Sequence, residues 1–200
     1  MSPSHVLEPT YQSLRQLLLE NTWPPGTRLE TVRLADLLHV SATPVRDSLN
    51  RLLGERLVDF VPGMGFHVPR LSEAGFRELL ACQLALLRVA LAGDIGPEQR
   101  APDPSLSTEP QMCEHEVLLG VAAAFGANRE LHAVLSHVSL RLEPARSAER
   151  ILFSDTSDEL SKINVLLSAG DRNGLEARLA LYHYRRSEAA ARIIARLERG

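Results

Sequence analysis

Ser41, Thr43, Arg46 and Asn50 fall within one stretch of ten residues and carry hydroxyl, guanidinium and carboxamide groups. Those are the groups that hydrogen-bond to base edges and phosphates. Arg46 and Asn50 are four residues apart, so a helix places them one turn apart on one face. Val45, Leu49, Leu52 and Leu53 then form an apolar stripe that faces the helix's own domain. An apolar back and a small polar, cationic front suit a helix that enters the major groove, and its first backbone N–H groups add a phosphate site. Two other readings compete: Arg46 in a surface ion pair with Asp47 or Asp36, and Thr43 as a helix cap only.

Other chemistry is poorly supported. His132 and His137 are five apart, roughly 140° around a helix, and cannot easily converge on one ion. Cys82 and Cys113 are the two thiols, which read as small buried hydrophobes in a reducing compartment rather than as a disulfide or metal pair. No nucleophile elbow, glycine-rich phosphate loop or paired-carboxylate site is found, so no enzyme activity and no cofactor are expected.

The elements that must position this set follow from periodicity. Tyr11, Leu14, Leu17 and Leu18 mark a first helix that stops near Asn21, followed by a tight turn at Trp23-Pro24-Pro25-Gly26. Thr31 caps a second helix that buries Leu34, Leu37 and Leu38. His39-Val40-Ser41 interrupts it, and a third helix starts with Ser41 or Thr43 as cap and Pro44 in its first turn. After Gly54, residues 57–61 and 65–68 read as short strands around Pro62-Gly63-Met64-Gly65, a hairpin. Three helices and a hairpin in this order predict a winged helix-turn-helix over residues 1–70. Residues 71–200 predict an all-α bundle: helices at 73–92 (after Ser72 as cap), 111–125, 129–146, 156–169 and 172–198, with a proline-rich loop at 93–110. The fold class is therefore mainly α.

With 44% hydrophobic and 24% charged residues, the chain falls in the globular class. No apolar run approaches the roughly 20 residues of a membrane span, and no signal peptide is visible, so a cytoplasmic location is expected. The net charge is −3, and residues 1–70 balance seven arginines against seven acids. DNA binding by such a head requires its positive charge to be concentrated on one face, and pairing two copies would double that field.

From Tyr11 to Pro69 the chain resembles the GntR family of bacterial transcription regulators. The resemblance rests on Pro25-Gly26-Thr27-Arg28-Leu29, Leu34-Ala35, Val40-Ser41-Ala42-Thr43-Pro44-Val45-Arg46-Asp47-Ser48-Leu49 and Gly65-Phe66-His67-Val68. It implies that Ser41, Thr43 and Arg46 touch a double-stranded operator and that the Gly65 turn enters the adjacent minor groove; His67 is a further candidate there. The family usually carries an arginine where this chain has Ala42, and Arg33 is the nearest earlier cation that could make up for it.

The helical tail resembles the branch named after the fatty-acid-responsive regulator, with Asn128 and Gly170-Asp171 as helix-end landmarks. That resemblance implies a homodimer on a pseudo-palindromic operator and a small organic acid as effector. Many such tails hold a metal with one Asp and three His. Here the corresponding positions fall on His115 and Leu119 (or Gln111 and His115), on Leu160, and on Tyr182 or His183, so no metal is expected. His115 and His183, with Arg141 or Tyr182, could still line an organic-ligand pocket. The alternative is a tail that serves only assembly or protein contacts, with no effector.

Overall fold

The computed structural model describes residues 4–93, 114–125 and 128–199. They divide into two compact units, Met1–Ser72 with Ala195–Gly200, and Glu73–Ile194.

The first unit contains α1 (Ser4–Leu19), α2 (Thr31–Leu38), α3 (Ala42–Gly54) and the strands β1 (Asp59–Val61) and β2 (Gly65–His67). Its core joins Tyr11, Leu14 and Leu18 of α1 to Val45, Leu49 and Leu52 of α3, with Leu34 and Ala35 of α2 alongside. Each fully buried leucine contributes about 1.5–3 kcal/mol relative to an exposed one. The far end of α3 is also tied to α1: the Tyr11 hydroxyl donates to Glu55 at 2.7 and 2.9 Å, and Arg51 lies over the Tyr11 ring at 3.6 Å.

Two details of α2 differ from expectation. Thr31 is the first helical residue and Glu30 occupies the cap, in an extended conformation and without a side-chain cap bond. Leu37 is 54% exposed. Leu34, Leu38 and Ala35 span roughly 100° of the short helix, and Leu37 lies roughly 60° beyond that arc on the Leu34 side. His39 ends the helix in the left-handed region (φ 55°), its N–H reaching the Ala35 and Asp36 carbonyls.

The hairpin is antiparallel, with Asp59 opposite His67, Phe60 opposite Phe66 and Val61 opposite Gly65. Gly63 and Gly65 both take positive φ (78° and 89°), which brings the chain round in the three residues 62–64. Residues 26–29 add a third edge, which periodicity missed: Arg28 pairs with His67, Leu29 N–H donates to Phe66 O at 2.8 Å and Val68 N–H to Thr27 O at 2.9 Å. Gly26 enables that edge. It has φ 85°, and a Cβ there would lie 2.5 Å from the Arg70 guanidinium.

The second unit is all-helical among the described residues: α4 (Glu73–Ala92), α5 (Glu114–Phe125), α6 (Arg129–Leu152), α7 (Thr156–Ala169), α8 (Arg172–Glu188) and the start of α9 (Ala190–Leu197). Leu87, Val117, Val121, Leu135, Ile163, Leu175 and Leu179 belong to its apolar core. Asn128 caps α6 by accepting from the N–H groups of Glu130 and Leu131, and Asp171 caps α8 by accepting from Gly174 N–H. The loop expected at 93–110 lies, beyond Gly93, outside the described residues. Helix α6 runs past the expected end at 146 to Leu152, because Ala148 and Glu149 continue its buried face. The single helix expected over 172–198 breaks at Ala189 into α8 and α9. Cys82, expected buried, is exposed. It sits on α4 next to Gln83, which takes the inward position instead.

Candidate nucleic-acid interface and the polar interior of the helical unit

Helix α3 separates its side chains as a groove-reading helix requires. Val45, Leu49 and Leu52 are 0% exposed, whereas Ser41, Thr43, Arg46 and Asn50 are all exposed. Ser41 caps the helix through its extended backbone (φ −77°, ψ 164°), and its hydroxyl makes no cap bond. Thr43 is already helical, so capping does not account for it. Among the described residues Arg46 enters no ion pair, with Asp36 or Asp47 or otherwise. Arg33 does: it is exposed and bridged to Glu30 at 3.0 Å. Ala42 leaves the exposed first turn of α3 without a cation. In the wing, Gly65 and His67 are half-buried, and His67 Nδ1 lies 3.0 Å from Gly65 O.

Sequence reasoning missed the polar interior of the second unit. Glu114, Arg146, Glu149, Glu159 and Arg186 are each at most 8% exposed. They alternate in sign through four helices. Arg146 Nη1 lies 2.8 Å from Glu114 Oε1 and donates to Glu149 Oε1 at 2.7 Å. Arg186 Nε donates to Glu149 Oε2 at 2.8 Å, and Arg186 Nη2 to Glu159 Oε2 at 3.0 Å. Arg185 then carries the chain outward, from Glu159 at 2.9 Å to Asp155 at 2.7 Å. Arg186 also stacks on the Tyr182 ring at 3.4 Å. A spacing signal for this was available: Leu175, Leu179, Tyr182 and Arg186 form one i, i+4, i+7, i+11 stripe, so Arg186 occupies a core position.

Three buried carboxylates face two buried guanidinium groups, which leaves one negative charge in excess. Glu114 carries the consequence. Burial pushes its carboxyl up to about 8, with Glu149 and Glu143 adding to the shift and Arg146 and Arg186 only partly offsetting it. His183 moves the other way. Burial, aided by the charges of Arg146, Arg186 and Arg88, lowers it to about 3 against the pull of the Leu179 carbonyl. It is therefore a neutral imidazole at physiological pH, its Nδ1–H donating to Leu179 O at 2.7 Å. Its Nε2 then accepts from the Gln83 carboxamide (3.1 Å), whose oxygen in turn takes the Ser139 hydroxyl proton (2.8 Å) once the amide is oriented to suit a neutral ring.

These residues do not fit the metal of similar tails. Leu160 belongs to the apolar core. Both nitrogens of His183 are engaged by Leu179 and Gln83. Two buried guanidinium groups oppose a cation in the same interior. Among the described residues no cluster of three His, Cys, Asp or Glu could hold a metal ion.

The first unit is thus a winged helix whose third helix presents an exposed polar face. Residues 8–68 match the bacterial regulatory proteins of the gntR family, and this segment is a GntR-family helix-turn-helix domain. Over 70 residues the chain is 39% identical to the HTH-type transcriptional regulator McbR of Escherichia coli (strain K12), a match covering 34% of this chain and 32% of that protein. It is 35% identical over 81 residues to the uncharacterized HTH-type transcriptional regulator BphR of Paraburkholderia xenovorans (strain LB400), covering 40% of this chain and 33% of that protein. The matched stretch spans less than half the length of these curated relatives, which are named as HTH-type transcriptional regulators.

Similarity of fold extends further. The structure of E. coli McbR/YncC superposes with a TM-score of 0.69 at 20% identity, covering 92% of this chain and 96% of that one. A GntR regulator from Rhodococcus sp. RHA1 gives 0.71 at 18% identity, covering 96% and 98%. The winged helix followed by an all-helical domain is therefore a shared architecture.

Proposed function

We propose that this chain is a sequence-specific DNA-binding transcription regulator that acts as a homodimer on a pseudo-palindromic operator. The observation that carries the reading is the division of α3, with three side chains at 0% exposure behind and Ser41, Thr43, Arg46 and Asn50 exposed in front. Arg46 is the principal reader, Ser41 and Thr43 bind phosphate or base edges, and Asn50, Arg33, Gly65 and His67 complete the footprint. Residues 71–200 form the dimerisation and effector domain. No described helix is long and apolar enough to cross a membrane, which agrees with action in the cytoplasm, where the operator is.

The test uses duplexes selected by the full-length protein from a randomised pool. Arg46→Ala should weaken binding to them by about 1–3 kcal/mol, roughly 5- to 150-fold, in fluorescence anisotropy. Unchanged affinity in a folded variant would remove Arg46 from the interface, and failure to select any sequence would remove the function.

A second reading, a tail without a small-molecule effector, is favoured by the closed ion chain. A small organic acid seeking Arg146 or Arg186 must displace Glu114, Glu149 or Glu159, which already hold them. Operator affinity unchanged across a panel of organic acids would select this reading.

A further inference from the structure

The tip of the wing is apolar. Met64 is 57% exposed between two glycines of positive φ, and Phe60 and Val61 behind it are 49% and 40% exposed. Phe60 is braced edge-to-face by Phe66 at 5.1 Å. Between Asp59 and His67 the hairpin carries no cation. Elsewhere in the first unit Arg33 is bridged to Glu30 and Arg51 to Glu8 and Glu55, whereas Arg46 on α3 enters no ion pair among the described residues, so the cations lie off the tip of the wing.

We propose that Met64 is the minor-groove side chain of this wing and that it binds there by apolar contact with the sugar walls and base-pair edges rather than by charge. This deepens, and rests on, the DNA-binding reading above. Three features favour DNA as the occupant. The hairpin follows α3 directly in the chain, five residues after Gly54. Its turn is narrow because glycine at 63 and 65 leaves only Met64 protruding beyond Pro62. Methionine is also unbranched and flexible, a shape that minor-groove proteins use as a wedge beside or between base steps. A cation at this place would exploit the negative potential of narrow A·T-rich grooves. Met64 cannot, so the wing prefers steps that unstack easily over rigid A-tracts, and its contribution does not weaken with salt.

The experiment compares wild type, Met64→Ala, Met64→Arg and Arg46→Ala as full-length proteins on the same selected duplexes, across a series of salt concentrations. Circular dichroism checks that each is folded, and position 64 is exposed enough to accept both substitutions. Met64→Ala should weaken binding roughly fivefold while the slope of log K against log salt stays that of wild type. Met64→Arg should steepen that slope by about one and shift newly selected sequences toward A-tracts. Hydroxyl-radical protection of the flanking minor groove should fade in Met64→Ala. Equal affinity of wild type and Met64→Ala overturns the proposal, and so does a slope that changes in Met64→Ala. If Arg46→Ala loses binding while Met64→Ala does not, the wing assignment alone fails. If no protein binds, the DNA-binding reading fails with it.

Discussion

Arg186→Met should destabilise the helical unit by about 3–5 kcal/mol, the largest single effect expected in this protein. The Arg186 side chain is 0% exposed and donates to Glu149, to Glu159 and to the Tyr182 carbonyl. Methionine fills much of the same space, so the loss does not come from a cavity. It comes from stranding carboxylates away from water with one cation fewer, and stranded ions cost far more than an intact pair gains. A urea titration followed by far-UV circular dichroism would show an early transition for the helical unit. Arg186→Lys should lie between wild type and Arg186→Met, since an ammonium restores charge but not the fork that holds two carboxylates. A shift of less than about 1 kcal/mol for Arg186→Met would mean that water reaches this interior and that the chain of charges is not sealed.

The second large effect is a pH dependence with an unusual sign. Most carboxylates stabilise a fold as pH rises, but the Glu114 carboxyl is raised to about 8 from an ordinary 4.5. Between those values the native state keeps a proton that the unfolded chain releases, so stability falls as pH rises toward 8 and is greatest on the acid side. His183 limits how far that gain extends. Its value is lowered to about 3, so the unfolded chain takes up a proton below about 6.5 that the native state refuses, and stability falls in that direction. The two contributions oppose each other between about 4.5 and 6.5, which leaves the interval from 6.5 to 8.5 to Glu114 alone of the pair. Across it the urea midpoint should drop by an amount equivalent to about 2 kcal/mol. Glu114→Gln, a neutral mimic of the protonated acid, should be flat over the same interval and more stable than wild type at pH 8.5. A slope that persists in the variant would place the responsible proton elsewhere.

How much of this could be read in advance depended on whether a feature was local. The α3 stripe and the Gly63–Gly65 turn are set by residues close in sequence and appear where spacing places them, Ser41 is the one of the two expected caps that starts α3, and Asn128 and Asp171 cap helices where the resemblance put helix-end landmarks. The third edge of the wing depends on residues 26–29 meeting residues 66–68, a pairing that no periodicity announces. Leu37 turned outward because a two-turn helix has room for only one narrow buried arc. The buried charges were the hardest case. Glu114, Arg146, Glu159 and Arg186 come from four helices, and charged residues on a helix are ordinarily read as its solvated face. Only the stripe ending at Arg186 marked one of them as internal.

That alternating chain also bears on how the tail finds its arrangement. Helices α6, α7 and α8 hold its charged members, Arg146–Glu149, Glu159 and Arg186, and α5 adds the Glu114 carboxyl, which keeps its proton below about 8. A hydrophobic stripe tolerates a slip of one turn, because leucine meets leucine either way. A sequence of signs does not: sliding α8 by a turn, or exchanging α6 with α7, sets like charges together in a dry interior. The network thus works as a keyed fit between otherwise similar helices. A tail rebuilt with apolar residues at these positions is therefore expected to keep its stability more readily than its single register.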